Sequence, residues 1–113
     1  MIRVPLTIRS DDVTRPPYET EGFVPDADCP LAAHLYAVWD EADSKWHDGV
    51  QWQITHRRTG FSLGKGTFRD RDEAIAVLMR CEPSFPAWQA VQAGVVDAAM
   101  LACRYKFRAA IQE

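Results

Sequence analysis

Residues 50–81 read VQWQITHRRTGFSLGKGTFRDRDEAIAVLMRC, and this stretch decides the fold. Val50, Trp52, Ile54 and His56 fall on one side of a period-two pattern, and Gln51, Gln53, Thr55 and Arg57 on the other, as in a strand with one buried face. Arg57-Arg58-Thr59-Gly60 breaks the alternation, and Gly60 can take the positive φ that a short hairpin connection needs. Phe61 and Leu63 then share one side of a second strand. Gly64 and Gly66, flanking Lys65, predict a bulge or bend before Thr67 and Phe68 resume extended structure. Asp70 stands three residues before Glu73, a capping-box spacing with Asp in place of Ser or Thr, and leads into Ala74, Ile75, Val77, Leu78 and Met79. A helix is expected from about Arg71.

Upstream, Ile2, Val4, Leu6 and Ile8 alternate with Arg3, Pro5, Thr7 and Arg9, which predicts a strand over residues 2–9. Pro5 cannot donate to a ladder, so this strand belongs at a sheet edge or turns its prolyl side away from a partner. Residues 10–28 carry Asp11, Asp12, Pro16, Pro17, Glu19, Glu21, Pro25 and Asp26 and read as a long acidic loop pinned by Tyr18, Phe23 and Val24. Asp28 suits an N-cap and Pro30 a first turn, with Leu31, Leu35, Val38, Trp39 and Ala42 at helical spacing. Asp40, Glu41 and Asp43 crowd the end of that expected helix, where the macrodipole disfavours negative charge. Residues 44–49, with Trp46, connect to the hairpin.

Downstream, Glu82-Pro83 ends the helix, Ser84 caps the next and Pro86 lies in its first turn. Phe85, Trp88, Val91, Val95, Ala98, Ala99, Ala102 and Tyr105 form one stripe, which Gly94 either divides or lets approach a neighbour closely. The small residues of this last segment also offer a homodimer contact. The expected fold is α+β: a small antiparallel sheet (edge strand 2–9 plus hairpin 50–68) against three or four helices, in the order β-α-β-β-α-α, forming one domain over residues 1–113.

The net charge of −3 conceals an asymmetry. Residues 1–50 hold four basic and ten acidic side chains, a net of −6, whereas residues 51–113 hold nine and six, a net of +3. Such a chain can offer an acidic face to a basic partner or the reverse. No apolar run approaches the roughly 18–20 residues that cross a bilayer, and the N-terminus lacks an apolar leader, so a cytoplasmic protein without a membrane partner is expected. Cys29, Cys81 and Cys103 are odd in number and widely spaced, unlike a disulfide framework or a zinc motif.

No pattern specifies catalysis, a cofactor or a metal. Cys29 at a helix N-terminus would have a lowered pKa, but Asp26 and Asp28 oppose that and no His is tied to it, so a cap-region thiol is the simpler reading. His34, His47 and His56 lack metal-binding spacing. Gly64-Lys65-Gly66 lies in extended structure, unlike a phosphate loop that opens a helix.

Two surfaces remain. Arg57, Arg58, Lys65, Arg69 and Arg71, interleaved with Trp52 and Phe61, form a basic hairpin. Trp52 through Met79, especially Gly66-Thr67-Phe68 followed by Glu73-Ala74, resembles the strand–strand–helix pattern of AP2-type and integrase arm-type DNA-binding domains. That resemblance implies a small sheet entering the major groove, its Arg and Trp side chains meeting bases and phosphates. The opposite surface is acidic: Asp11, Asp12, Glu19, Glu21, Asp40, Glu41 and Asp43, with Tyr18, Phe23 and Trp46 as aromatic anchors. In composition the chain is similar to small phage and plasmid products that inhibit host defence, anti-CRISPR proteins among them. The first expectation is therefore a non-enzymatic inhibitor or adaptor that binds another protein, such as a basic nucleic-acid-binding one, with DNA binding as the alternative.

Overall fold

The computed structural model describes residues 1–10, 12, 14–63 and 67–90. Four strands run in a meander, β1 (Ile2–Ile8), β2 (Tyr18–Val24), β3 (Leu31–Asp40) and β4 (Lys45–His56), forming one antiparallel sheet in chain order. Helix α1 (Arg71–Arg80), a 3₁₀ turn (Glu82–Ser84) and the short helix α2 (Phe85–Ala90) follow. The mixed α+β class stands. The expected element order does not, since four strands precede the first helix. Two α-helices lie among the described residues, and the segment carrying Gly94 and the expected dimer face falls outside them.

The largest correction concerns the helix expected over residues 28–42, where Leu31–Asp40 form strand β3 instead. Leu31, Ala32, Ala33 and His34 are buried in succession, a run that neither a half-buried strand nor a one-sided helix produces. It arises because β3 is an inner strand. Ala33 lies opposite Ile54 of β4 and Phe23 of β2, so both neighbours and both faces are occupied. Pairing on two sides has overridden the helical propensity of Leu and Ala.

The acidic loop also contains a strand. Leu6 faces Thr20, Val4 faces Gly22 and Ile2 faces Val24, which turns Glu19 and Glu21 to the outer side. There the carboxylate of Glu19 accepts from Thr7 Oγ1 at 3.0–3.1 Å and that of Glu21 lies 3.5 Å from Arg3. Strand β1 occupies the edge, as Pro5 requires.

The expected hairpin is shorter on its second side than its pattern suggests. Strand β4 ends at His56, Gly60 takes φ 80°, and among the described residues the returning chain pairs with β4 at isolated bridges, Thr55 with Ser62 and Trp52 with Phe68. That returning segment ties the outer strands together. His56 and Leu63 donate N–H groups to Phe61 and Ile54 carbonyls respectively, while Arg9, just past β1, donates to the Gly60 carbonyl at 2.8 Å. The sheet therefore curls.

One face gathers Val4, Leu6, Ile8, Val24 and Ala32 in the core; Leu31, Ala33 and Ile54 lie on the other, where α1 packs against β3 and β4 through Ala74, Ile75, Val77 and Leu78. Helix α1 starts as its sequence indicates. Asp70 Oδ1 accepts the Glu73 N–H at 2.8 Å, and Glu73 Oε2 accepts the N–H of Arg69 at 2.9 Å.

Two buried histidines sit on these faces. His34 Nδ1–H donates to the Leu35 carbonyl and Nε2 accepts from Thr55 Oγ1 at 2.6 Å. His56 Nε2–H donates to the Trp88 carbonyl at 2.8 Å while Nδ1 accepts from Thr59 Oγ1, which fastens α2 to the end of β4.

Candidate functional site: an aromatic and arginine assembly at the hairpin end

The β3–β4 hairpin is interrupted between Leu35 and Ala37, where Tyr36 alone faces Gly49, Val50 and Gln51. Gly49 is needed there, because a Cβ would stand 3.0 Å from the Tyr36 carbonyl oxygen. Bulges bend a strand and re-aim its side chains. Beyond it the hairpin continues to a turn in which Asp40 Oδ1 accepts the N–H groups of Ala42 and Asp43, and Ser44 takes φ 51°. Glu41 and Asp43 are exposed at this tip.

Residues 14–17 are fastened against the hairpin by aromatic rings. Trp39 and Trp46, cross-strand partners, meet edge to face at 5.2 Å, and Tyr18 stacks on Trp46 at 6.2 Å. Trp46 Nε1 donates to the Pro16 carbonyl at 2.7 Å, and the Tyr18 hydroxyl to Asp48 Oδ1 at 2.8 Å. Burial and then that carboxylate raise the Tyr18 phenol above its ordinary range. Arg15 lies over both indoles, 5.3 Å from Trp39 and 6.0 Å from Trp46, and reaches Glu41 at 3.0 Å and Asp12 at 3.6 Å. Thr14 donates its hydroxyl and its N–H to Asp12, holding that carboxyl below the usual range.

The fold thus brings together Asp12, Tyr18, Asp40, Glu41, Asp43 and Trp46 from the expected acidic set. Glu19 and Glu21 face outward along β2. Phe23 sits at the opposite end of β2, beside Trp52 at 5.7 Å and under the guanidinium groups of Arg3 and Arg71 at 5.7 and 5.0 Å. Asp11 lies outside the described residues. Asp48 ends the acidic segment that the composition picks out, but composition has no means of singling out Arg15 or Trp39; Trp39 follows an apolar run that reads as helix core.

The basic set is differently employed. Arg57 Nη1 donates to the Ala27 and Cys29 carbonyls, each at 2.9 Å, and its backbone N–H donates to the Pro30 carbonyl. Arg58 Nη1 donates to the Gln89 carbonyl at 2.6 Å. Arg69 lies 3.8 Å from Asp70, and Arg71 lies 3.9 Å from Asp72 besides covering Phe23. Lys65 is outside the described residues.

Cys29 precedes a strand rather than opening a helix, so no dipole activates it. It is buried, and burial foremost pushes its thiol up. Cys81 donates to the Val77 carbonyl and is pushed up to about 11 by burial. Among the described residues no three His, Cys, Asp or Glu side chains are grouped to hold a metal ion, and no helix is long and apolar enough to cross a membrane.

Among the clefts on the described residues, one of about 550 Å³ lies by Val50, Thr67, Arg69 and Glu73, and two more bear on the site. One, of about 400 Å³, lies beside the bulge, with Ile8, Ala37 and Val38 below and Trp39, Trp46 and Phe61 at its sides. The other, of about 380 Å³, lies by Cys29, His56, Arg57 and Trp88. Trp88 is fully buried there, and its Nε1–H has no hydrogen-bond partner among the described residues. Compared with known proteins, the chain matches no family model, no curated protein and no solved structure.

Proposed function

We propose that the protein acts by binding another protein, as an inhibitor or adaptor, through the end of the β3–β4 hairpin and the segment 14–17 fastened to it. The supporting observation is the locked assembly of Arg15, Tyr18, Trp39 and Trp46 with Asp12, Asp40, Glu41, Asp43 and Asp48 around it. Aromatic and arginine side chains dominate binding energy at interfaces, and holding them in place beforehand lowers the entropy cost of association. The surrounding carboxylates select a basic partner and accelerate its approach.

A nucleic-acid-binding protein has the matching charge, and inhibition would follow from occupying its nucleic-acid surface. This is the manner of action suggested by the compositional likeness to phage and plasmid anti-defence products. The DNA-binding reading has weaker support, since Arg57 and Arg58 direct their guanidinium groups at backbone carbonyls of this same chain.

The test compares immobilised wild-type protein with Trp46→Ala combined with Glu41→Lys, using nuclease-treated lysate from its own cells and mass spectrometry. A basic protein retained by the wild type and by a Glu19→Lys control, but lost with the double variant and at high salt, is the expected outcome. Equal retention by all three proteins would overturn the reading. So would tight binding of duplex DNA with a steep salt dependence that the double variant leaves unchanged.

A further inference from the structure

We propose that the cleft beside the bulge is a binding pocket for a small planar anion, an aromatic ring carrying a carboxylate or a phosphate, with Arg9 as its charge partner. Arg9 lines this cleft. Its backbone N–H is fixed by the Gly60 carbonyl at 2.8 Å, yet its guanidinium has neither an ion pair nor a hydrogen bond among the described residues. The other arginine at the cleft, Arg15, is already neutralised by Glu41 and Asp12. Among the described residues this leaves Arg9 as the arginine at the cleft without a carboxylate partner.

The ring specificity follows from the walls. Trp39 and Phe61 supply aromatic surface, and Tyr36 stands at the bulge, 38% exposed, with its phenol bonded to none of the described residues. A cleft of about 400 Å³ is within the range that holds a small organic ligand, and its exposed lining is predominantly polar, which suits a charged one. A guanidinium meets carboxylate and phosphate oxygens equally well, in two parallel hydrogen bonds. The cleft shares Arg15, Trp39 and Trp46 with the assembly argued above to meet a protein, whereas Arg9 and Tyr36 lie outside that assembly, so variants at these two test the pocket alone.

Titration calorimetry and tryptophan fluorescence test it, since Trp39 and Trp46 border the cleft. The probes are adenosine monophosphate for a ring with a phosphate, 4-hydroxybenzoate for a ring with a carboxylate, and adenosine and inorganic phosphate as the separate halves. At least one ring anion should saturate with a Kd of about 1 mM or tighter. Arg9→Ala should weaken that binding by about tenfold or more, Arg9→Lys less, and Tyr36→Ala should weaken it through the ring. Circular dichroism and the thermal midpoint establish that each variant is folded; Arg9 and Tyr36 are both exposed, and Tyr36→Ala serves should Arg9→Ala not fold. Failure of both ring anions to saturate would overturn the proposal. Inorganic phosphate or adenosine binding as tightly as the nucleotide, or a folded Arg9→Ala with wild-type affinity, would do so equally.

Discussion

His34 Nε2 accepts a hydrogen bond from Thr55 Oγ1 at 2.6 Å in the interior of the curled sheet, and the pair is held with the imidazole neutral. Burial lowers the His34 pKa from 6.5 to about 4, partly offset by its bond to the Leu35 carbonyl and by Asp48. The unfolded chain therefore binds a proton between these values that the folded chain does not. Stability from this residue is complete above pH 6.5, falls as pH drops towards 4, and is flat below that. Every tenfold difference in proton affinity between the folded and unfolded chain is worth about 1.4 kcal/mol. Burial lowers His56 in the same direction, which adds to the slope. Urea midpoints measured at intervals from pH 7 to pH 4 should decline, and NMR titration of the native state should show the His34 imidazole still neutral at about pH 5. A midpoint that stays constant across that window would refute the assignment.

Gly60 combines φ 80° with a close approach to β1, where a Cβ would run into the Thr7 carbonyl oxygen. Gly60→Ala should destabilise the fold by about 2 kcal/mol or more, through both the left-handed backbone and the lost Arg9 contact. Chemical denaturation compares it with Gly49→Ala, where the backbone conformation is ordinary and only the bulge must give way.

Arg57 spans from the end of β4 to the chain that enters β3. Replacing it with Ala removes two charge-assisted bonds to carbonyls and should cost about 2–3 kcal/mol of stability. Arg57→Lys should recover only part of that, because its ammonium is more strongly hydrated and ends short of the Nη1 position from which both carbonyls are met. Thermal midpoints of the two variants check this ordering.

Neither buried thiol is a ready nucleophile. Iodoacetamide at pH 8 should leave Cys29 and Cys81 unmodified in the native protein and alkylate both once the chain is denatured, as peptide mass spectrometry would record. Rapid native alkylation of Cys29 would show it to be more accessible than its burial implies.

What was legible in the sequence was local. The alternation of β1, the Asp70 cap and the Gly60 turn each depend on a few neighbouring residues, and each survives in the fold; the one-sided burial expected of β4 does not, since Val50 is exposed at the bulge and Gln53 and Thr55 are buried along with Ile54 and His56. Segment 31–40 could not be read that way, because its apolar run comes from having a strand on either side and covered faces. A buried run of this kind is indistinguishable by period from a helix. In β2 the acids Glu19 and Glu21 masked the alternation of Tyr18, Thr20, Gly22 and Val24. The candidate site was half legible. Tyr18, Trp46 and the acids were identified by type, but Arg15 and Trp39 join them only through the bend of the hairpin, and the employment of Arg57 depends on carbonyls distant in sequence.

The bond from Arg9 to Gly60 has a consequence for how the molecule comes into being. Its two ends lie before the second strand and after the fourth, so a growing chain cannot make it until the whole meander has been synthesised. Contacts of such long range form late and slow the search for the folded state. Arg9 and the Phe61 side of the cleft are brought together by that late event, whereas Arg15 meets Trp39 and Trp46 without it. The cleft is thereby completed only once the chain has passed Gly60, while the hairpin end, which has no member beyond Asp48, can assemble before it.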